Sequence, residues 1–444
     1  MAFQAGVSKV NITPPVGILM GGYGNRTQGA VGVRDELWAR ALYLSDGTTE
    51  LCLVSVELLG LRQESVERIR ARVEEAAGIP RSHVVVTAVH THAGPYCTDP
   101  RLQSPLETRN LAVTEDKIVG AVLWARREAS PARIFRWRTE TVIGINRRER
   151  RDGRIVLGKN PDGPIDPTVD ILHITDPNGA ARAVWFAHAC HPVVLDSDNL
   201  WISGDFAGAA ARFIEGNGYG TALFANGATG DINPAECGTF ALVERLGTRL
   251  GAAVVEALTR TGDAIEVNGP LLVDERSCVL PTDPVPSAAE AAAELARAQQ
   301  AVDELVASGQ EGRLFWARRS LFHAQEAAEL ARSGERFAGA PMSLAIVAIG
   351  DFALVGVPAE VFVEIGKRVR QESPFPQTVV LGYVNGYQGY LPTAEAFPEG
   401  GYEVNVRIRH RGLAITSEAA GVVVKESLVG LHSAWERARA LRAG

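Results

Sequence analysis

Residues 51–92, LCLVSVELLGLRQESVERIRARVEEAAGIPRSHVVVTAVHTH, decide the fold. Leu51–Leu59 is apolar but for Ser55 and Glu57, as expected of a strand buried on most sides. Gln63–Ala77 carries Val66, Ile69 and Val73 at helical spacing and stops near Gly78 and Pro80. His83–Val89 is β-branched and reads as the next strand. Strand, helix, strand in 40 residues is the unit of an α/β layered protein.

The same alternation extends outward. Arg133–Thr139, Ile171–Thr175, Ala183–Ala187 and Thr221–Phe224 read as strands. Thr114–Arg127, behind a Thr-Glu-Asp cap, reads as a helix, as do Asp205–Glu215 and Phe240–Leu258. Ser287–Glu335 is rich in Ala, Glu and Arg and breaks at Ser308-Gly-Gln310, which predicts a helical hairpin. It is expected to pack on the side of the core; the sharper alternative is a lid over a substrate site. Beyond it come a hairpin over Leu344–Val357, a helix over Ala359–Gln371, a strand over Thr378–Tyr383 and a last helix near Ser417–Val429. Strands resume after the insertion, so one domain is expected over residues 1–444, with 287–335 as its helical insertion. The predicted fold class is α/β: a layered mixed β-sheet with flanking helices and a helical-hairpin insertion.

Composition removes several function classes. Apolar residues make up 46% and charged residues 22%, so a normal core is available. Lys plus Arg total 45 against 52 Asp plus Glu, a net charge of −7, which argues against a nucleic-acid partner. No apolar run approaches the roughly 18–20 residues that span a bilayer. The first ten residues lack the basic and apolar regions of a secretion signal. The five cysteines are scattered, with no CxxC pair. A cytoplasmic protein without stable membrane anchoring is therefore expected.

Five segments carry candidate chemistry. Val89-His-Thr-His-Ala-Gly-Pro95 places two histidines at i and i+2, on one side of an extended chain just past a strand. Imidazole suits zinc, although such a pair is also found as structure. His188-Ala-Cys-His-Pro192 follows another strand, and Ser203-Gly-Asp205 reads as a helix cap or a polar site. Asn226-Gly-Ala-Thr-Gly-Asp-Ile-Asn-Pro234 is a Gly-rich turn whose N–H groups could hold an anion, or a plain turn. Glu360 is placed in the first turn of a helix, where the helix dipole alone could account for it. Tyr383, Tyr387 and Tyr390 sit in a Gly-rich loop, as a binding loop or as aromatic packing. The arginines of Asn146–Arg154 read mainly as a solvated hairpin.

In this order the segments resemble the neutral ceramidase family, in its zinc-dependent amidase domain. Ala5-Gly-Val-Ser-Lys-Val-Asn-Ile-Thr-Pro14 and Val33-Arg-Asp-Glu-Leu-Trp-Ala-Arg-Ala-Leu42 look like the family's opening. The resemblance runs from about residue 5 to about residue 410. It implies a zinc ion (Zn2+) held by His90, His191, Glu360 and Tyr390, with Tyr387 as the competitor for the tyrosine. It implies His92 as a proton-transferring catalytic histidine and Arg147 as a holder of substrate or developing oxyanion. Asp231, Asn233 and Tyr387 fall at substrate-binding positions. The family's ceramidases carry a serine where this chain has Asn233, which argues against a serine nucleophile and leaves a zinc-activated water. The family's carboxy-terminal β-sandwich has no counterpart in the sequence.

The expected function is a zinc-dependent hydrolase that cleaves an amide-type C–N bond of a soluble small molecule. The rivals are an esterase, a lactonase or a true ceramidase on the same site, and a non-catalytic small-molecule binding protein. A homo-oligomer is left open.

Overall fold

The computed structural model describes residues 3–98 and 104–443. Four layers are stacked. One outer layer is the helices Gln63–Ala77, Pro105–Arg127, Asp205–Gly216 and Phe240–Thr259. Under them lies a nine-stranded sheet, in the order Thr221–Asn226, Ala181–His188, Thr168–Thr175, Ser130–Glu140, Phe3–Asn11, Trp38–Ser45, Glu50–Val56, Val84–Ala88, with Ile265–Glu266 added on Ser130–Glu140. The third layer is a four-stranded sheet, Leu271–Leu280, Ala340–Ile349, Phe352–Gly356 and Gln377–Leu381. Helices Val363–Glu372 and Ala419–Ala443 cover its far side.

The α/β prediction thus holds, with two stacked sheets rather than one. Side-chain alternation shows why. In Ala181–His188, Val184 and Phe186 face the helices, while Ala183, Trp185 and Ala187 face the second sheet. In Ala340–Ile349, Leu344, Ile346 and Ala348 face helices, while Ala345, Val347 and Ile349 face the first sheet. The central parts of both sheets are buried on both faces, so strands such as Ala181–His188 and Ala340–Ile349 are largely apolar.

Three predicted boundaries are corrected. The helix expected from Thr114 starts at Pro105, behind Ser104, whose side chain and that of Glu107 form a capping box. Thr114 lies inside it and bonds back to the Asn110 carbonyl. Glu360 is not in a helix: Glu360–Val361 is extended and pairs in parallel with Tyr390–Leu391, and the helix begins at Val363. The last helix runs on to Ala443. The insertion is two helices, Ala288–Ala307 and Glu311–Ser333, packed on each other.

The first sheet curls. The strands Val84–Ala88 and Thr221–Asn226 stand at opposite ends of the order, yet the ends meet. Ser55 Oγ donates to the Phe224 carbonyl at 2.6 Å, and Asn226 Nδ2 to that of Val89 at 3.0 Å. The second sheet joins at the same place, where Asn385 N donates to Val86 O and Ala88 N to Tyr383 O. The C-terminal ends of parallel strands from both sheets therefore converge on one region, the usual place for a ligand site in an α/β sheet.

Candidate metal centre

Each donor is delivered by a strand end. His90 and His92 follow Val84–Ala88, and His191 follows Ala181–His188. Glu360 follows Phe352–Gly356, and Tyr383, Tyr387 and Tyr390 follow Gln377–Leu381. His90 has φ +72° and Tyr383 φ +58°, a left-handed backbone that is costly for residues with a Cβ. That strain turns both rings inward, where they stack at 4.0 Å between centroids.

The ligating nitrogens of His90, His92 and His191 lie within 4.8 Å of one another and could hold a metal ion. His90 Nδ1 is 2.6 Å from the Leu59 carbonyl, and His191 Nδ1 is 2.6 Å from that of Thr229. Those contacts put the ring proton on Nδ1 and leave Nε2 bare. Yet His90 Nε2 is 3.2 Å from His92 Nε2, and His191 Nε2 is 2.9 Å from a Glu360 oxygen. Glu360 also lies 3.5 Å from His90 Nε2. Burial pushes the His191 pKa down to about 4, with Arg147 adding to the effect. Burial, then the neighbouring His90 and His191, hold that of His92 well below its usual value. With Nδ1 committed to a carbonyl, His191 turns a bare Nε2 on the Glu360 carboxylate at 2.9 Å, and His90 turns its own toward the same carboxylate at 3.5 Å. A cation between them removes the repulsion, and nitrogen and carboxylate donors are a zinc-type set. The residues fit the ion that the family resemblance implies.

The tyrosines differ in position. Tyr387 donates to Glu360 at 2.6 Å. Tyr383, which the sequence reading did not single out as a site residue, is 3.5 Å from both Glu360 and His191 Nε2 and bonds Thr229 at 2.8 Å. Its positive φ, the one signal that marks it, is not visible in a sequence. Tyr390 turns its ring to the Arg147 guanidinium, 5.3 Å away. Burial raises the pKa of all three well above 10.

Other expected site residues lie one layer behind. Arg147 is buried, with Nε on Glu403 at 2.8 Å and Nη1 on Asn233 at 3.1 Å. Asp231 accepts from Val363 N and Asn146 Nδ2, and its burial lifts its pKa to about 7. Neither Arg147, Asp231 nor Asn233 lines the cavity over the histidines. The Gly-rich turn is no anion cradle either. Its Gly227, Gly230 and Ile232 N–H groups are taken by the carbonyls of His188, Val361 and Thr229. The turn is a support instead: Thr229 and Ile232 orient His191, and a Cβ at Gly230 would meet the Glu360 carbonyl at 2.7 Å. Asp205 is likewise inward, accepting from Leu195 N and Phe206 N.

Over the cluster lies a cavity of about 440 Å³, within the range of small-molecule sites. His90, His92, Glu360, Tyr387 and Tyr390 form part of its floor. The loop at Leu19–Gln28 forms one wall. The second insertion helix forms another, through Leu314, Phe315, Trp316, Arg318 and Arg319. The insertion therefore covers the site, as the sharper of its two sequence readings expects.

Strand ends, buried imidazoles and a roofed cavity make this an α/β protein with an interior histidine cluster that could bind a metal ion. The neutral/alkaline non-lysosomal ceramidase N-terminal sequence profile matches residues 3–244, more than half of the chain. The chain belongs to that family. The neutral ceramidase of Pseudomonas aeruginosa is 26% identical over 256 residues, which cover 53% of this chain and 37% of that protein. The neutral ceramidase of Mycobacterium tuberculosis is 29% identical over 237 residues, 48% of this chain and 37% of that protein. The matches thus span little more than a third of those relatives. The crystal structure of the Pseudomonas aeruginosa neutral ceramidase superposes with a TM-score of 0.75 at 20% identity, covering 98% of this chain and 75% of that one. Among the described residues no helix is long and apolar enough to cross a membrane.

Proposed function

We propose that this protein is a zinc-dependent amidohydrolase that cleaves the C–N bond of a small molecule admitted to the 440 Å³ cavity. One observation carries the reading: bare Nε2 atoms and the Glu360 carboxylate face one another in a buried cluster that opens onto a cavity. His90 and His191, fixed through Nδ1, would hold the ion together with Glu360, with a tyrosine beside them. Bound zinc supplies Lewis acidity and lowers the pKa of water from about 15.7 to about 7.

The chain's own groups do the rest. His92 is neutral, lines the cavity, and can take a proton and return it to the departing nitrogen. Tyr387 holds Glu360 in place by donating to its second oxygen. Arg147, locked by Glu403, positions Tyr390 rather than touching substrate. Hydrolysis adds OH to the acyl carbon and H to the nitrogen as the C–N bond breaks.

A second reading rests on the 3.2 Å between the His90 and His92 nitrogens. In it His92 joins the ligand set and Glu360 takes the proton. Metal analysis of the purified protein, with His191→Ala and His92→Ala as variants, tests both. One zinc per chain that is lost in His191→Ala supports the proposal. Zinc retained in His92→Ala favours His92 as the proton carrier. No bound metal, with His191→Ala as active as the parent, overturns the proposal.

A further inference from the structure

The second insertion helix brings two arginines to the cavity. Arg318 and Arg319 both line the cavity from the insertion helix Glu311–Ser333. Among the described residues, neither forms an ion pair or a side-chain hydrogen bond with a carboxylate, whereas most other arginines of the chain do. Arg319 is half-buried and lies 5.8 Å over the Trp316 ring. It lines this cavity and also the smaller neighbouring one beside His323 and Arg409. A third guanidinium, Arg26, lines the opposite wall; its hydrogen bonds go to backbone carbonyls of Gly21, His92, Asp196 and Ser197. Among the described lining residues Glu360 is the one carboxylate, and it belongs to the metal-type cluster.

Arg319 is half-buried and Arg318 exposed at the cavity rim, and a guanidinium facing a cavity gains most when an anion completes its donor fork. Here the chain supplies none, and the space in front of the fork is the substrate cavity. Leu19, Leu59, Leu314 and Phe315 give the same cavity apolar walls. A neutral hydroxy-amide would leave the cations unmatched. An amide bearing both an acyl chain and a carboxylate would fill both kinds of surface.

Resting on the amidohydrolase reading, we propose that the substrate class is the N-acyl amino acids, with Arg319 and Arg318 receiving the carboxylate. Water adds across the amide, giving a fatty acid and a free amino acid. The specificity element is thus the helical insertion, not the metal floor.

The experiment uses the zinc-loaded protein and a matched pair, N-octanoylglycine and N-octanoylethanolamine, which differ in a carboxylate against a hydroxymethyl. Initial rates give the ratio of kcat/KM for the two, and calorimetry gives their binding. The ratio is expected above about ten and to fall about ten- to hundredfold in Arg318→Gln/Arg319→Gln, the worth of hydrogen bonds to a charged group. Arg319→Lys should recover part of it. A parent ratio near or below one, or a variant that lowers both substrates equally, overturns the proposal. If neither compound is hydrolysed, the amidohydrolase reading falls. Arg319-dependent binding of the carboxylate then still supports the anion site, and equal binding of the two compounds refutes it.

Discussion

Metal removal should lower the thermal stability of this protein by a calculable amount. His90 follows the strand at one end of the curled sheet, His191 follows the strand next to its other end, and Glu360 follows the strand Phe352–Gly356 of the second sheet. An ion shared by them is bound only when both sheets are assembled. Stabilisation by such a ligand is RT ln(1 + [L]/Kd), about 2.7 kcal/mol at one hundred times Kd and about 4.1 kcal/mol at a thousand times. Unfolding entropy near 60 °C is about 2.1 cal/mol/K per residue, or roughly 0.9 kcal/mol/K for this length. The expected rise in Tm is therefore about 3 °C at the lower zinc excess and about 4 °C at the higher. Scanning calorimetry of chelator-treated protein, with and without zinc, reads it directly. His191→Ala is the control. It also loses the contacts to the Thr229 and Ile232 carbonyls, so its own Tm falls. The decisive quantity is thus the zinc-dependent difference, which should vanish. A parent Tm indifferent to zinc, or a shift of equal size in His191→Ala, would refute the argument that these lone pairs surround a cation.

Other consequences are independent of that one. Gly22→Ala places a Cβ 2.3 Å from His92 Cγ at φ +94°, so the ring must move; activity should fall at least tenfold while zinc content is kept, if His92 carries the proton. Glu403 is fully buried between Arg147 and Arg148. Glu403→Gln leaves two guanidinium groups underpaired and should cost about 3–5 kcal/mol in denaturant unfolding. His173 is packed beside Trp137 and Tyr219, and burial pushes its pKa down to about 4. Its folded pKa lies below the unfolded value near 6.5, so its contribution to stability is present above about pH 6.5 and is lost as pH falls toward 4. His173→Phe should flatten the fall of the urea midpoint over that window; an unchanged slope would assign the acid sensitivity elsewhere.

What could be read from the chain follows from the range of the forces involved. Gln63–Ala77 was legible because spacing, the Gly78 stop and the next strand are local. The capping box at Ser104 is equally local, yet Thr114-Glu-Asp mimics a cap and drew the boundary ten residues late. Strands 3–11 and 38–45 entered only through the family resemblance, although 38–45 forms a tight hairpin with Glu50–Val56; the far partner of 3–11, Ser130–Glu140, is distant in sequence. An apolar run states that a strand is buried on both faces but not what buries it. The second sheet was invisible for that reason, although the hairpin over Leu344–Val357 and the strand over Thr378–Tyr383 were found; its strand Leu271–Leu280 was missed.

The site divides the same way. His90, His92 and His191 were legible because they sit at strand ends, where sheets put function. The arginines of 146–154 read mainly as solvated, and the burial of Arg147 and Arg148 was not legible because their counter-charge, Glu403, lies more than 250 residues away. With that pairing, the proposed role of Arg147 is to position Tyr390, whose ring lies 5.3 Å from its guanidinium. Arg318 and Arg319, which line the cavity with no carboxylate partner among the described residues, are then the informative ones. A helical insertion that supplied only cover could have presented its alanines to the cavity. This one presents two cations, and a cation kept unpaired against a cavity is a requirement placed on whatever enters it.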